Sequence, residues 1–593
     1  MRKAFLLIVI LLMTLSASAV PAMRRWFTFV QPDGKQVRLL LVGDENLHYY
    51  LTSDSVPVVD DGEAWCYARL HGNRLLSTGV VAHEPGERGS EEWAAMTTAS
   101  EIEGLRRVRG MKSKGGAKAK RRQSSSLDVF WGKKKGLVIL ANFSNKQFYD
   151  YSPEDQGAAT RQRYEAQLNE LGYRNEKHDV VGSVRDYFLA QSDGLFDLSF
   201  DVVGPVNLEN DVAHYGRNVG NEDAMAHVMV KECCEAVADM VDFADYDWDG
   251  DGEVEEVFVL YAGYGEATGG GSRTIWPHMW TITEATKPGD DAPEAFTVDG
   301  LRVDVYACSN ELYGSRGTTE MGIGCFCHEF SHCLGLPDFY DTENSYTFVM
   351  GAWDLLDSGC YNGPDGLGWV PAGFNSYEKQ FVGWYDIKEL KTDTIVGRML
   401  PLNEGGEAYA IYNDAYADEY YVMENRQRTG WDKYLPGEGL LFIHVDYDQQ
   451  LWEDNLLNTV GESNDHLRFA LIRASNGRSR EKDAYPNGSN QELTDTSVPA
   501  ATLFHENTDG TKLMHKPVTD ITRDEQTGVV SFVFRHENDP DGLRPVMAGD
   551  GQTTVFRADG MPVAVPSSGI GALPRGLYLF RLPDGRVRKV LSR

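Results

Sequence analysis

His328-Glu329-Phe330-Ser331-His332-Cys333-Leu334-Gly335-Leu336-Pro337-Asp338-Phe339-Tyr340-Asp341 is a run in which nearly every position has a chemical reason. His328 and His332 are four apart, so on a helix their imidazoles leave one face a turn apart. That is the reach two nitrogen ligands need to share one tetrahedral zinc. Glu329 flanks the same face, where a carboxylate can take a proton from a water activated at the metal. Gly335 can end the helix in a left-handed turn and reverse the chain. The reversal can return Asp338 as a third, oxygen ligand, leaving one coordination position for water. The bare His-Glu-x-x-His pattern arises by chance in roughly one or two chains in a hundred of this length, so the extension through Gly335 to Asp338 is what makes the run specific. A helix over residues 321–334 is expected.

The chain has 593 residues, too many for one core, so several domains are expected. Its 42% hydrophobic and 25% charged residues are ordinary for globular protein. The formal net charge of -32 argues against nucleic acid and against an anionic membrane surface as partners. No stretch after the N-terminus reaches the apolar length of a membrane helix. Arg2 and Lys3 precede an apolar stretch at residues 4–15 and a small-residue stretch at 16–22. Residues 1–22 therefore read as a signal peptide, cut after Ala19 or Ala22, and the protein is expected outside the cell or on its surface.

Eight cysteines are present, at 66, 233, 234, 308, 325, 327, 333 and 360. Export permits disulfides, but the spacing forms no recognisable framework. Cys325, Cys327 and Cys333 crowd the zinc run and read as small buried packing residues. Cys325, one turn before His328, also puts a sulfur on the metal face.

Residues 23–105 alternate as strands, with a hairpin turn at Pro32-Asp33-Gly34, and form a β-rich module. Residues 106–132 are a linker. Its stretch 106–122 holds nine lysines and arginines and no acidic residue, beside Gly115-Gly116 and Ser124-Ser125-Ser126. Between two modules, such a block fits a linker cut by a protease to activate a precursor. Residues 133–388 mix strands (136–143, 257–262) with a helix capped by Ser183, an α+β pattern. Residues 389–538 read as a β-sandwich and 539–593 as a short tail module.

These residues resemble the immune inhibitor A family of secreted bacterial metallopeptidases. The zinc run through Tyr340-Asp341 is the most specific segment. Ser183-Val184-Arg185-Asp186-Tyr187-Phe188, Ile275-Trp276-Pro277-His278-Met279-Trp280 and Trp353-Asp354-Leu355-Leu356-Asp357-Ser358-Gly359-Cys360-Tyr361 are similar to further blocks of that family. So are Glu424-Asn425-Arg426-Gln427 and His444-Val445-Asp446, and the likeness covers roughly residues 133–448. It implies a zincin-like catalytic domain behind an N-terminal pro-segment, with His328, His332 and Asp338 as zinc ligands and Glu329 as catalytic base. The family carries a methionine in the turn below the zinc, where this chain has Leu356; leucine has similar volume and swaps at small cost. Tyr361 is a candidate contact to the substrate carbonyl oxygen, and His278 either lines the cleft or packs between Trp276 and Trp280. Residues 576–591 read as a hairpin, either simply the end of the last domain or a tail resembling those that bacteria of the Bacteroidetes group use for type IX secretion.

A second metal candidate is Asp247-Trp248-Asp249-Gly250-Asp251-Gly252-Glu253-Val254-Glu255. Carboxylates at Asp247, Asp249 and Asp251 with glycine sixth in the loop can wrap calcium, although the twelfth position is Phe258. The expectation is a secreted zinc endopeptidase made as a precursor, acting on proteins or peptides and activated by another protease. The rival is a catalytically silent surface adhesin that keeps the fold for binding.

Overall fold

The computed structural model describes residues 18–44, 48–71, 74–96, 129–219, 222–285, 296–342, 347–461 and 463–536, and the backbone of four strands between 554 and 592. The apolar leader up to residue 17 and the basic stretch 106–122 lie outside the described residues.

The chain is a mixed α/β protein built around one six-stranded sheet. Its strand order is Ser18–Ala19, His278–Thr281, Val305–Leu312, Val257–Tyr264, Gly132–Asn142, Phe196–Asn207. The four strands from Val305–Leu312 to Phe196–Asn207 run parallel, and His278–Thr281 is antiparallel, next to the outermost two-residue strand Ser18–Ala19. Helices cover both faces, as parallel strands require, and the period of two in the side chains sorts the core. Leu137, Ile139, Val257 and Val259 point to one side, against Met229, Val230, Cys233 and Val237 of the helix Ala226–Val237. Val138, Leu140, Phe258 and Leu260 point to the other, against Phe326 and Phe330 of the helix Gly324–Cys333. That helix starts three residues later than the sequence suggests, because Ile323 still lies before its first turn. The helix Val184–Gln191 begins where the sequence places it, with the Ser183 side chain accepting from Asp186 N at 3.1 Å.

Before this sheet, strands Trp26–Val30 to Arg74–Val81 form a six-stranded antiparallel meander. After it, a five-stranded and a three-stranded sheet share a core that includes Val396, Tyr421, Met423, Leu440, Phe442 and Phe532. The strand Gly439–Asp446 is buried on both faces. Leu440 and Phe442 enter that core, while Leu441, Ile443 and Val445 join the core of the zinc-run region. Phe469 stacks on Phe339 with ring centroids 4.1 Å apart. The sequence boundary at residue 388 is therefore crossed by continuous packing. The backbone strands Gly576–Arg581 and Val587–Ser592 pair as an antiparallel hairpin. No helix among the described residues is long and apolar enough to cross a membrane.

Candidate active site

The helix Gly324–Cys333 separates its tasks by angle. Phe326 and Phe330 face the sheet, where Phe326 stacks on Phe258 at 3.9 Å. At about 100° per residue, Cys325, His328, Glu329 and His332 fall on the opposite side. Gly335, at φ +86°, supplies the left-handed residue after the helix, and its N–H donates to His332 O at 2.9 Å. The chain then turns back and delivers Asp338.

His328 Nε2 and His332 Nε2 lie 3.1 Å and 3.4 Å from Asp338 Oδ1. These three atoms are buried and make no hydrogen bond. Orphaned buried polar atoms are costly unless something else satisfies them. Two imidazole nitrogens and a carboxylate oxygen converging in this way match the donor set of zinc. The other ring nitrogens are fixed from behind: His328 Nδ1 meets Leu355 O at 2.8 Å, and His332 Nδ1 meets Leu336 O at 2.7 Å. Those carbonyls favour the tautomer that leaves each Nε2 free to bind metal. Leu356 is fully buried in the turn that supplies the Leu355 carbonyl, and its own carbonyl accepts from Phe339 N at 2.8 Å. Burial works against charge on Asp338, but His332 and His328 outweigh it and hold its pKa down at about 2.

Glu329 is fully buried, with Oε2 unpartnered. Burial, and then the charge of Asp338, pushes its pKa well above the ordinary carboxylate range. Its Oε1 accepts from Val20 N at 2.8 Å. The residues around Val20 lie along the site as a strand. Ser18–Ala19 pairs antiparallel with the edge strand His278–Thr281. Trp276 Nε1 donates to Val20 O at 3.0 Å, and Tyr361 OH donates to Pro21 O at 2.8 Å. Tyr361 thus holds a peptide carbonyl two residues from the strand that pairs with the sheet edge. Nothing in the local sequence pointed to residues 20–23 as cleft occupants, because the small residues there read as the end of a leader.

Asn455 was likewise invisible. Its Nδ2 donates to Asp338 Oδ2 at 2.7 Å, and its Oδ1 accepts from Asp338 N at 2.8 Å, across 117 residues of sequence. It orients the carboxylate whose other oxygen faces the histidines. His278 is buried, its Nδ1 held by Trp276 O at 2.6 Å and its Nε2 by Tyr306 OH at 2.9 Å. Burial lowers its pKa to about 4, so it sits neutral in the sheet.

In the acidic loop, ligand atoms of Asp247, Asp249 and Glu255 come within 4.8 Å of one another. Asp251 faces its own loop, accepting from Glu253 N at 2.9 Å. Burial foremost, with Asp249 and Asp247 adding, pushes the Glu255 pKa up to about 7. Glu255 is ninth in the loop, a position that the alternate-residue pattern predicts and the sequence reading passed over.

The site thus joins a mixed sheet, a helix bearing the His-Glu-x-x-His pair and a returning aspartate. Residues 129–385 match the model of the immune inhibitor A peptidase M6, catalytic domain. The pre-pro-metalloprotease PrtV of Vibrio cholerae serotype O1 (strain M66-2) is 26% identical over 240 residues, 36% of this chain and 25% of that protein. Immune inhibitor A of Bacillus thuringiensis subsp. alesti is 24% identical over 395 residues, 60% of this chain and 53% of that protein. The chain thus spans between a quarter and about half of the length of these curated relatives.

Proposed function

We propose that the chain is the precursor of a secreted zinc metalloendopeptidase of zincin type, acting on proteins or peptides. The observation that carries this reading is the convergence of two unpartnered imidazole nitrogens and the Asp338 oxygen beside the buried Glu329. His328, His332 and Asp338 would hold the zinc. When bound, the metal supplies Lewis acidity, polarising a carbonyl and acidifying water. Glu329 accepts a proton and passes it to the leaving amine, a role suited to a buried carboxylate whose pKa is raised. The edge strand His278–Thr281 takes an extended peptide by strand addition. Tyr361 OH steadies a substrate carbonyl, as it does that of Pro21.

Residues 20–23 lie against Glu329, Trp276 and Tyr361, where such a peptide would lie, and would block the site in a precursor that keeps them. Leader cleavage after Ala19 removes the paired Ser18 and Ala19 and keeps Val20, whose N–H caps Glu329, and Pro21, whose carbonyl meets Tyr361, whereas cleavage after Ala22 removes these too. The meander that follows anchors the plug, and cutting the basic stretch 106–122 frees both to dissociate. The Asp247, Asp249 and Glu255 carboxylates form a candidate calcium site, with Asp251 outside it.

Casein zymography with and without a chelator, before and after limited trypsin, tests the reading. Chelator-sensitive clearing that grows after the cut and after removal of the N-terminal fragment is expected. Metal-loaded, cut and separated protein that clears nothing would favour the silent adhesin.

A further inference from the structure

Two lysines are buried among the described residues, and the fold treats them differently. Lys516 donates to Tyr412 O and to Asp414 Oδ1, both at 2.7 Å. Lys379, on the short helix Ser376–Phe381, is 7% exposed and makes no hydrogen bond or ion pair with any described residue. The acids around it are already engaged. Asp432 takes Arg426 Nε at 2.7 Å, Arg426 Nη2 at 2.6 Å and Gly373 N at 3.1 Å. Glu424 takes Arg426 Nη1 at 3.0 Å, Ser376 N at 2.6 Å and Ser376 Oγ at 2.7 Å. Burial foremost pushes the Glu378 pKa well above the ordinary carboxylate range, so that group is neutral. A buried ammonium without a partner is costly. Burial lowers the Lys379 pKa to about 8, so at neutral pH the amine still keeps its proton.

Lys379 lines a cavity of about 230 Å³ between the end of the helix Val184–Gln191, the segment at Phe374 and the turn Gly430–Tyr434. Phe374, Leu402 and Trp431 give it apolar walls. Gln191 gives it a second donor. Its Oε1 accepts from Phe374 N at 2.9 Å, which leaves its Nε2 without a partner among the described residues. An apolar cavity of about 150 Å³ admits benzene, so this one has room for a ring with a short substituent. Two unpaired donors, one of them charged, beside aromatic walls complement a carboxylate on an apolar body. A free amino acid fits worse, because its ammonium would come beside Lys379 with the nearby carboxylates already taken.

We propose that this cavity binds a small aromatic or branched aliphatic monocarboxylate, its carboxylate on Lys379 and Gln191 and its apolar body against Phe374 and Trp431. None of these residues belongs to the metal centre, so the site is separate from the peptide cleft.

Equilibrium dialysis of the full chain with radiolabelled phenylacetate tests this, with unlabelled phenylacetamide, which has the same shape without the charge, as competitor. The expected result is one phenylacetate per chain, little displaced by the amide. Lys379→Met keeps the length of the side chain and removes the charge, and should weaken binding roughly tenfold or more. No binding up to about 30 mM, several times the weakest Kd expected for a ligand of this size, overturns the proposal. So does equal displacement by the amide, or wild-type affinity in the variant. If the variant does not fold, acetylation of the wild-type chain by acetic anhydride decides. Phenylacetate at about ten times its Kd should slow labelling of Lys379 roughly tenfold and leave exposed Lys391 unaffected. An unchanged Lys379 rate overturns the proposal.

Discussion

Asn455 offers the sharpest single perturbation, because it holds both the backbone N–H and the carboxylate of Asp338, a proposed zinc ligand. Its two hydrogen bonds to Asp338 are 2.7 Å and 2.8 Å long, and both residues are buried. One of the two goes to an ionised carboxylate. A charge-assisted bond contributes roughly 1.5–3 kcal/mol and a neutral one about 1 kcal/mol, so losing both should cost about 2–4 kcal/mol. Asn455 sits at φ +54°, where alanine would add backbone strain. Asn455→Gly removes the side chain and keeps that conformation available. With the carboxylate free to rotate, zinc affinity should fall roughly 10–100-fold, the usual effect of deleting a partner behind a ligand. Competitive chelator titration reads the affinity and urea unfolding of the metal-free protein reads the stability. Gln449→Ala, which removes only an exposed bond to Glu453, serves as control. An Asn455→Gly protein with wild-type zinc affinity would refute the claim that Asp338 is a ligand held in place from behind.

Glu329→Gln keeps shape and removes proton acceptance; turnover on a fluorogenic peptide should drop by about a hundredfold or more, with zinc content unchanged. Burial opposes ionisation of Glu419, but donors at His444, Phe504 N and His505 N outweigh it and hold the pKa at about 2. A depressed carboxyl adds stability that is present above the unfolded value near 4.5 and lost as pH falls toward 2. The Tm gap between wild type and Glu419→Gln should therefore be wide at pH 6 and close as pH approaches 2. Millimolar calcium should raise Tm by binding the folded state. Asp249→Ala should abolish that rise and leave zinc in place, whereas Asp251→Ala should retain it.

Local periodicity made much of this molecule legible. The zinc-run helix, its Gly335 stop, the Ser183 cap and the buried strands at 136–142 and 257–262 all follow from patterns a few residues long. What stayed hidden depends on distance in the chain. Asn455 lies 117 residues from the carboxylate it orients, in a stretch with no signature. Val20, Pro21 and Ala22 read as a leader end, and only their contacts with Glu329, Trp276 and Tyr361, far away in the chain, place them at the site. Gly439–Asp446 is buried on both faces, so the packing on either side of residue 388 is continuous, which no local pattern shows. The close approach of the helix Gly324–Cys333 to the turn Ser358–Tyr361 depends on a glycine at 324 that admits the Cys360 carbonyl, a constraint visible only once the turn is in place.

The most direct measurement is a zinc titration of the activated, metal-stripped protein with peptide-bond cleavage as readout. Cleavage should rise linearly and saturate at one zinc per chain, and His328→Ala combined with His332→Ala should show neither tight zinc binding nor cleavage. Cleavage that survives stripping, or that persists in the double variant, would contradict the account.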